Sequence, residues 1–197
     1  MRRAHRSLGF SLLELLCIAS LVIVLAGIAV PLGSQALDDA QATAAARYLA
    51  GRFYWARMEA VKRSSHTGYR FVQQGADYVF GAYVDGNRNG ILSRDIASGI
   101  DRALGALDRL ANHFPHASFS VLPGVTPIEP GEVLQPGSDP IRFGRSSLVS
   151  FSPDGSGTAG TVYVGGRRSQ LAVRVLGVTG RIRVLRFDFS ARRWVDP

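Results

Sequence analysis

One segment of the chain leaves little choice about its surroundings. From Phe10 to Leu32 runs "FSLLELLCIASLVIVLAGIAVPL", 23 residues with Glu14 as the only charge. As a helix rising about 1.5 Å per residue it reaches roughly 34 Å, enough to cross a hydrocarbon core of about 30 Å. A charge at the centre of a bilayer costs about 2.5–3.5 kcal/mol on insertion scales, and charges kept inside spanning segments are usually functional. Glu14 therefore needs a reason. A cleaved secretory signal is the rival reading, but its apolar region spans about 7–15 residues and ends at a small-residue site. The longer, acid-bearing run fits a spanning helix better.

The charge distribution sets the orientation. The net charge is +8, concentrated at the two ends. Before the apolar run stand Arg2, Arg3 and Arg6 with no acid, which predicts a cytoplasmic N-terminus with the rest of the chain outside. From Thr161 onward, eight arginines face only Asp188 and Asp196. That basic tail reads as a surface for anions or as a solvated face. Cys17 is the only cysteine, so no intramolecular disulfide forms, and it reads as a small apolar residue in the run.

The helical pattern continues past the membrane segment. Pro31 removes one intrahelical hydrogen bond and is expected to bend or weaken the helix. Beyond it, Leu37, Ala40, Ala44, Ala45, Tyr48, Leu49, Phe53 and Ala56 recur at helical spacing and predict a core-facing stripe. One long helix is expected from about Ser11 to Arg63. After His66 the texture changes to short runs rich in Val, Ile, Phe and Tyr. "YRFVQQGADYVFGAYV" reads as a hairpin around a Gly-Ala-Asp turn. "SLVSFSPDGSG", "GTVYVGGRRSQLAVRVLGVTGRIRVLRF" and "RRWV" read as further short strands separated by glycine turns. "VLPGVTPIEPGEVLQPGSDP", dense in proline and glycine, is expected to be an exposed connection. The expected fold class is α+β, a long N-terminal helix packed on an antiparallel sheet domain.

At both ends the residues resemble a known family. A basic leader closing on Gly9, then Phe10, with Glu14 fifth from that point, resembles the class III signal of type IV prepilins and type II secretion pseudopilins. "FSPDGSGTAGTVYV" followed by "LAVRVLGVTGRIRV" resembles the C-terminal signature of the GspH/FimT branch, in which a Phe-x-x-x-Gly turn leads into hairpins ending in Gly-Arg-x-Arg. The stretch from about Asp85 to Pro140 matches no motif of that family. The resemblance implies four parts: a leader at 1–9, a transmembrane half-helix at 10–32, an amphipathic half-helix at 33–65 and a periplasmic β-rich domain at 66–197. It implies cleavage by prepilin peptidase between Gly9 and Phe10, methylation of the new Phe10 amine, and a helix-bending role for Pro31. It further implies residence in the bacterial inner membrane and assembly with other pseudopilins or pilins, in a type II secretion pseudopilus or a type IV pilus. Cleavage would leave an α-amino cation one helical turn from Glu14. A carboxylate paired with that amine, in its own or a neighbouring subunit, sets register more reliably than it adds stability. Glu14 also suits the positive end of the helix dipole.

Two further motifs carry chemistry on paper. "DGNRNGILSRDI" places Asp85, Asn87, Asn89 and Gly90 at the first, third, fifth and sixth positions of a calcium loop, with the Ile91 carbonyl and Ser93 to follow. Ile96 stands where the twelfth-position acid belongs, with Asp95 one residue early and Asp101 further on. A Ca2+ site and a metal-free Asn/Asp/Gly turn both fit these residues. In "GRIRVLRF", Arg181 and Arg183 share one face of a strand. With Arg186, Arg192 and Arg193 they form a candidate stripe for DNA phosphates, with Tyr163 and Trp194 as stacking surfaces. That stripe supports an alternative function, a DNA-binding minor pilin; a solvated strand face fits the same pattern. The proline in "HFPH" disfavours a helix aligning His113 with His116 on a metal. No nucleophile elbow, Walker loop, dinucleotide fingerprint or zinc pattern is present, so an enzyme is not expected.

Overall fold

The computed structural model describes residues 11–129 and 131–197. Gly9 and Phe10, the expected cleavage site, lie outside the described residues. Two compact units divide the chain, one ending at Leu37 and one from Asp38 to Pro197.

Helix α1 (Leu12–Arg63) is 52 residues long and begins and ends within a residue of expectation, running as helix through position 31. Up to Leu37, every described side chain is exposed, including Leu12, Leu16, Leu21, Ile23 and Ile28. Its stretch Leu12–Ala29 has a mean hydropathy of 2.7 and is long and apolar enough to cross a membrane.

The second unit packs the rest of α1 against two antiparallel sheets. One sheet joins β1 (Thr67–Gln74), β2 (Asp77–Val84), β3 (Arg102–Ala103), β4 (Asp108–Arg109) and one later strand. A short helix, α2 (Ser93–Ala97), lies between β2 and β3. The other sheet is built from β5 (Ser118–Phe119), β6 (Ile141–Arg142), β8 (Gly160–Gly165), β9 (Gln170–Leu176), β10 (Arg181–Asp188) and β11 (Arg193–Val195). Strand β7 (Leu148–Phe151) closes the first sheet beside β1. The expected hairpin is β1–β2, in register from Thr67 opposite Val84 to Gln74 opposite Asp77. Gly75 makes the turn at φ +65°, a conformation that glycine adopts without steric cost.

Ala42, Ala45, Ala46, Leu49, Phe53, Ala56 and Ala60 form the buried face of α1. Phe53 is its centre, with ring centroids of Tyr69, Phe71, Phe143 and Phe151 at 6.0–6.5 Å. Small alanines on the same face bring backbone and sheet close together. The expected stripe is corrected at its start: Leu37, Ala40 and Ala44 are exposed, and Ala42 and Ala46 are buried instead. Phe53 and Leu49 set the phase, and the run Ala44–Ala46 is too uniform to reveal it.

The second sheet has apolar residues on both faces. Val162, Val164, Leu171, Val173 and Ile182 join the cluster that includes α1. The alternate residues Tyr163, Ala172, Leu185 and Phe187 join Val121 and Val125 in a second cluster. The proline- and glycine-rich stretch is therefore not simply an exposed connection but the cover of this second face. Leu122, Ile128 and Leu134 pack there too, and the Trp194 indole N–H donates to the Thr126 carbonyl at 2.8 Å. An antiparallel strand with apolar residues on both faces needs such a cover, because each face must leave water.

Candidate functional site

The start of α1 presents a charge in a stretch, Leu12–Ala29, that is otherwise uncharged. The Glu14 backbone N–H donates to Ser11 Oγ at 3.2 Å. Ser11 and Glu14 thus hold the first and fourth positions of a capping box. That pattern stands in the sequence as Ser-Leu-Leu-Glu. It fixes Glu14 in the first turn, where a carboxylate opposes the helix dipole. A local helix-starting role thus accompanies the assembly role expected of Glu14.

At the other end of the chain, the C-terminal signature forms a joint. Phe151 is fully buried against Phe53. The turns at Gly155 (φ +84°) and Gly180 (φ +57°) meet so closely that a Cβ on Gly180 would run into the Gly155 carbonyl oxygen. Arg57 on α1 bonds to both turns, its Nε donating to the Gly155 carbonyl at 2.8 Å and its Nη2 to the Thr179 carbonyl at 3.0 Å. Tyr54, one turn earlier on α1, donates to the Ile182 carbonyl at 3.0 Å. The glycines and phenylalanine of the signature therefore dock the β7–β8 and β9–β10 turns on the helix. Arg57 was missed in the sequence because its partners are backbone carbonyls about a hundred residues away.

The basic strands are less free than their sequence suggests. Arg181 and Arg183 do lie on one face of β10, with Arg183 directly opposite Arg174 on β9. Arg183 pairs with Asp196 at 2.7 Å, Arg186 with Asp39 at 2.8 Å, and Arg174 with Glu129. Arg181, Arg192 and Arg193 are exposed and have no ion-pair partner among the described residues. Tyr163 is corrected as a stacking surface: it is fully buried, and burial pushes its hydroxyl pKa up to about 12. Trp194 is held against Phe187 and the Thr126 carbonyl.

The loop after β2 brings together Asp85, Asn87, Asn89 and Asp95, and adds Asp101. Asp85 Oδ1 accepts the backbone N–H groups of Asn87 and Arg88, and its Oδ2 accepts that of Gly90 at 2.8 Å. Asp101 accepts those of Gly86 and Leu92. The side-chain amides of Asn87 and Asn89 donate to Asp95 Oδ2 at 3.3 and 2.9 Å, and the Asn89 bond is the main cause that holds the Asp95 carboxyl below its usual pKa. Ser93 opens α2, and the Ile91 side chain is buried. Among the described residues, no group of three or more His, Cys, Asp or Glu is arranged to hold a metal ion. The loop satisfies its oxygens with its own N–H groups, the arrangement of a self-capped turn.

His113 has a different partner from the one weighed in the sequence. Its Nε2 lies 2.9 Å from Asp108 Oδ2, the oxygen that also accepts the Tyr48 hydroxyl at 2.8 Å. This cluster ties the 3-10 turn Leu110–Asn112 to α1.

Residues 45–180 match the family model described as type II transport protein GspH. The chain belongs to the GspH family. The match spans α1 from Ala45 onward, the whole first sheet, the second sheet except β10 and β11, and the glycine joint up to Gly180. As a GspH protein the chain is a pseudopilin component of type II secretion, a structural part and not an enzyme. Among solved structures, it is similar to the minor pseudopilin EpsH from the type 2 secretion system of Vibrio cholerae. The identity is 14%, covering 73% of this chain and 94% of that one, with a TM-score of 0.45. No curated protein matches the chain.

Proposed function

We propose that this GspH protein is a minor pseudopilin cut by prepilin peptidase between Gly9 and Phe10, N-methylated at Phe10 and assembled through α1 into a type II secretion pseudopilus. Before assembly it is anchored in the inner membrane by 10–32, with its N-terminus cytoplasmic and its β-rich domain periplasmic. The single observation that supports this reading most is the exposed apolar half of α1 with Glu14 fixed in its first turn. In a fibre that surface is buried by neighbouring helices, and Glu14 meets an N-terminal amine. Pro31 lies within the same helix. Intact mass with N-terminal fragmentation tests the reading. A chain starting at methylated Phe10 is expected; one starting at Met1, or cut beyond Leu25, overturns it.

No cofactor is required under this proposal. The reading takes the loop formed by Asp85, Asn87, Asn89, Ile91, Ser93 and Asp95 as a turn closed by its own hydrogen bonds rather than by Ca2+, so chelation is expected to leave the thermal midpoint unchanged. A midpoint that rises with added Ca2+ refutes that assignment. A second reading, a DNA-capturing type IV pilin, draws on Arg181, Arg192 and Arg193, which are exposed and have no ion-pair partner among the described residues. Such binding weakens steeply with salt, and a salt-independent or absent gel shift removes this reading.

A further inference from the structure

The turn between β8 and β9, Gly166-Arg167-Arg168-Ser169, is held to α1 by its backbone. The Arg167 N–H donates to both carboxylate oxygens of Asp38, at 3.0 and 2.8 Å, and the Arg168 N–H donates to Asp38 Oδ2 at 3.3 Å. A Cβ on Gly166 would stand 2.9 Å from Asp38 Oδ2 and 3.2 Å from Ala42 Cβ, so the approach is close. Asp38 is buried. With the backbone engaged, both guanidinium groups are left outside. Arg167 and Arg168 are exposed, and neither has an ion-pair partner among the described residues, unlike Arg142, Arg174, Arg183 and Arg186.

These arginines border two clefts. One is lined by Leu122, Pro123, Arg167, Arg168 and Phe189. The other runs from Arg168 past Ser169 to Arg186. Ser169 is 4% exposed, and its hydroxyl has no hydrogen-bond partner among the described residues. The nearby carboxylates are already engaged. Asp38 holds the turn, Asp39 holds Arg186, and Asp188 Oδ1 accepts the Ser190 N–H, its hydroxyl and the Ala191 N–H. Two exposed guanidinium groups without ion-pair partners among the described residues suit an anion with several acceptor oxygens. The apolar rim of Leu122, Pro123 and half-exposed Phe189 suits a setting that is part water and part hydrocarbon.

We propose that this turn binds the headgroup phosphates of anionic phospholipids and seats the folded domain on the bilayer before the subunit enters a fibre. The assignment rests on the membrane-anchored reading above. Asp38 follows Leu32, the last residue of the apolar run, by six positions. Six residues span at most ~20 Å even when fully extended. The clamp on Asp38 therefore keeps both arginines close to the point where the chain leaves the lipid. Basic residues at such positions are attracted to anionic lipid, and aromatic side chains settle at the same level.

The test uses the full chain in vesicles of phosphatidylcholine alone or mixed with phosphatidylglycerol. Arginine modification by phenylglyoxal is followed residue by residue by mass spectrometry, with exposed Arg145 as the internal reference. Carbonate extraction is run in parallel. Modification of Arg167 and Arg168 is expected to slow several-fold in the anionic vesicles, with Arg145 unchanged. Equal rates in the two vesicles overturn the proposal. Equivalent slowing by inorganic phosphate in neutral vesicles assigns the cleft to a free anion and overturns the lipid source. Slowing seen only after a fibre-forming neighbour is added assigns the arginines to a protein contact, with the same result. Release of the chain by carbonate refutes the anchored reading itself, a failure visible whatever the arginines do.

Discussion

The two halves of α1 share a backbone geometry and differ in everything around it. Up to Leu37 no described side chain is buried, and the exposed residues are mainly Leu, Ile, Val and Ala. From Asp38 to Arg63, side chains at a three-to-four-residue spacing lose all contact with solvent. The amphipathic half is explained by the sheets it covers. The uniform half is not explained by anything inside this chain, because soluble monomers rarely expose apolar patches beyond a few hundred Å². A helix that is apolar all round belongs in lipid or inside an assembly. The difference teaches that one helix can answer to two solvents, with the change falling where the alanine-rich stretch begins.

The sharpest way to break this comparison is to remove one large side chain from each half. Phe53→Ala leaves a cavity among four aromatic rings and should cost about 3–5 kcal/mol. Leu21→Ala should leave the stability of the second unit within about 0.5 kcal/mol. Denaturant titration of the full chain in detergent, followed by tryptophan fluorescence, reads both; equal losses would mean that the halves are not energetically distinct. A smaller effect is expected at the glycine joint. Arg57→Ala leaves the Gly155 and Thr179 carbonyls without their partner and should cost about 1–3 kcal/mol. Exposed Arg47→Ala should change nothing measurable, and a comparable loss at both positions would remove the special role of Arg57.

The smallest effect is set by pH. Burial pushes the Asp108 carboxyl pKa up, but bonds from the Tyr48 hydroxyl, the Arg109 N–H and His113 outweigh it and hold the group below its usual value. Its pKa is thus lower folded than unfolded. The stability it contributes is present above the ordinary carboxylate pKa of about 3.9 and is lost as pH falls through the lower, folded value. Tyr48→Phe should flatten the acid limb of the stability profile below about pH 4. An unchanged acid limb would show that the cluster does not couple α1 to the 3-10 turn.

Long-range periodicity and local turn chemistry were readable from the residues alone. The bounds of α1, the β1–β2 hairpin and the strand-rich end follow from runs of strong formers between glycine turns. The Ser11 cap on the Glu14 N–H stands in the sequence as Ser-Leu-Leu-Glu but was passed over, because Glu14 was read for its carboxylate alone. What stayed hidden were pairings between residues distant in sequence. Asp39 neutralises Arg186 from 147 positions away. Asp38 clasps the Arg167 N–H from 129 away, and Asp101 completes a loop that begins at Asp85. A charge count sees a basic stripe, whereas the fold decides which of its charges are left for a partner. The proline-rich cover was misjudged for a related reason. Its few apolar anchors, Val121 and Val125 among them, carry no period, since the sheet beneath them dictates their spacing.

The outer strands of the two sheets bear on how a subunit of a polymer avoids becoming the wrong polymer. Strands β3, β4, β5 and β6 are two residues long, β11 three and β7 four, and these short pieces flank the longer central strands. Short edges offer a neighbouring chain too few free N–H and C=O groups to template an added strand. In the proposed fibre, crowded subunits would thereby be denied cross-β association, leaving the apolar helix as the contact through which the fibre grows.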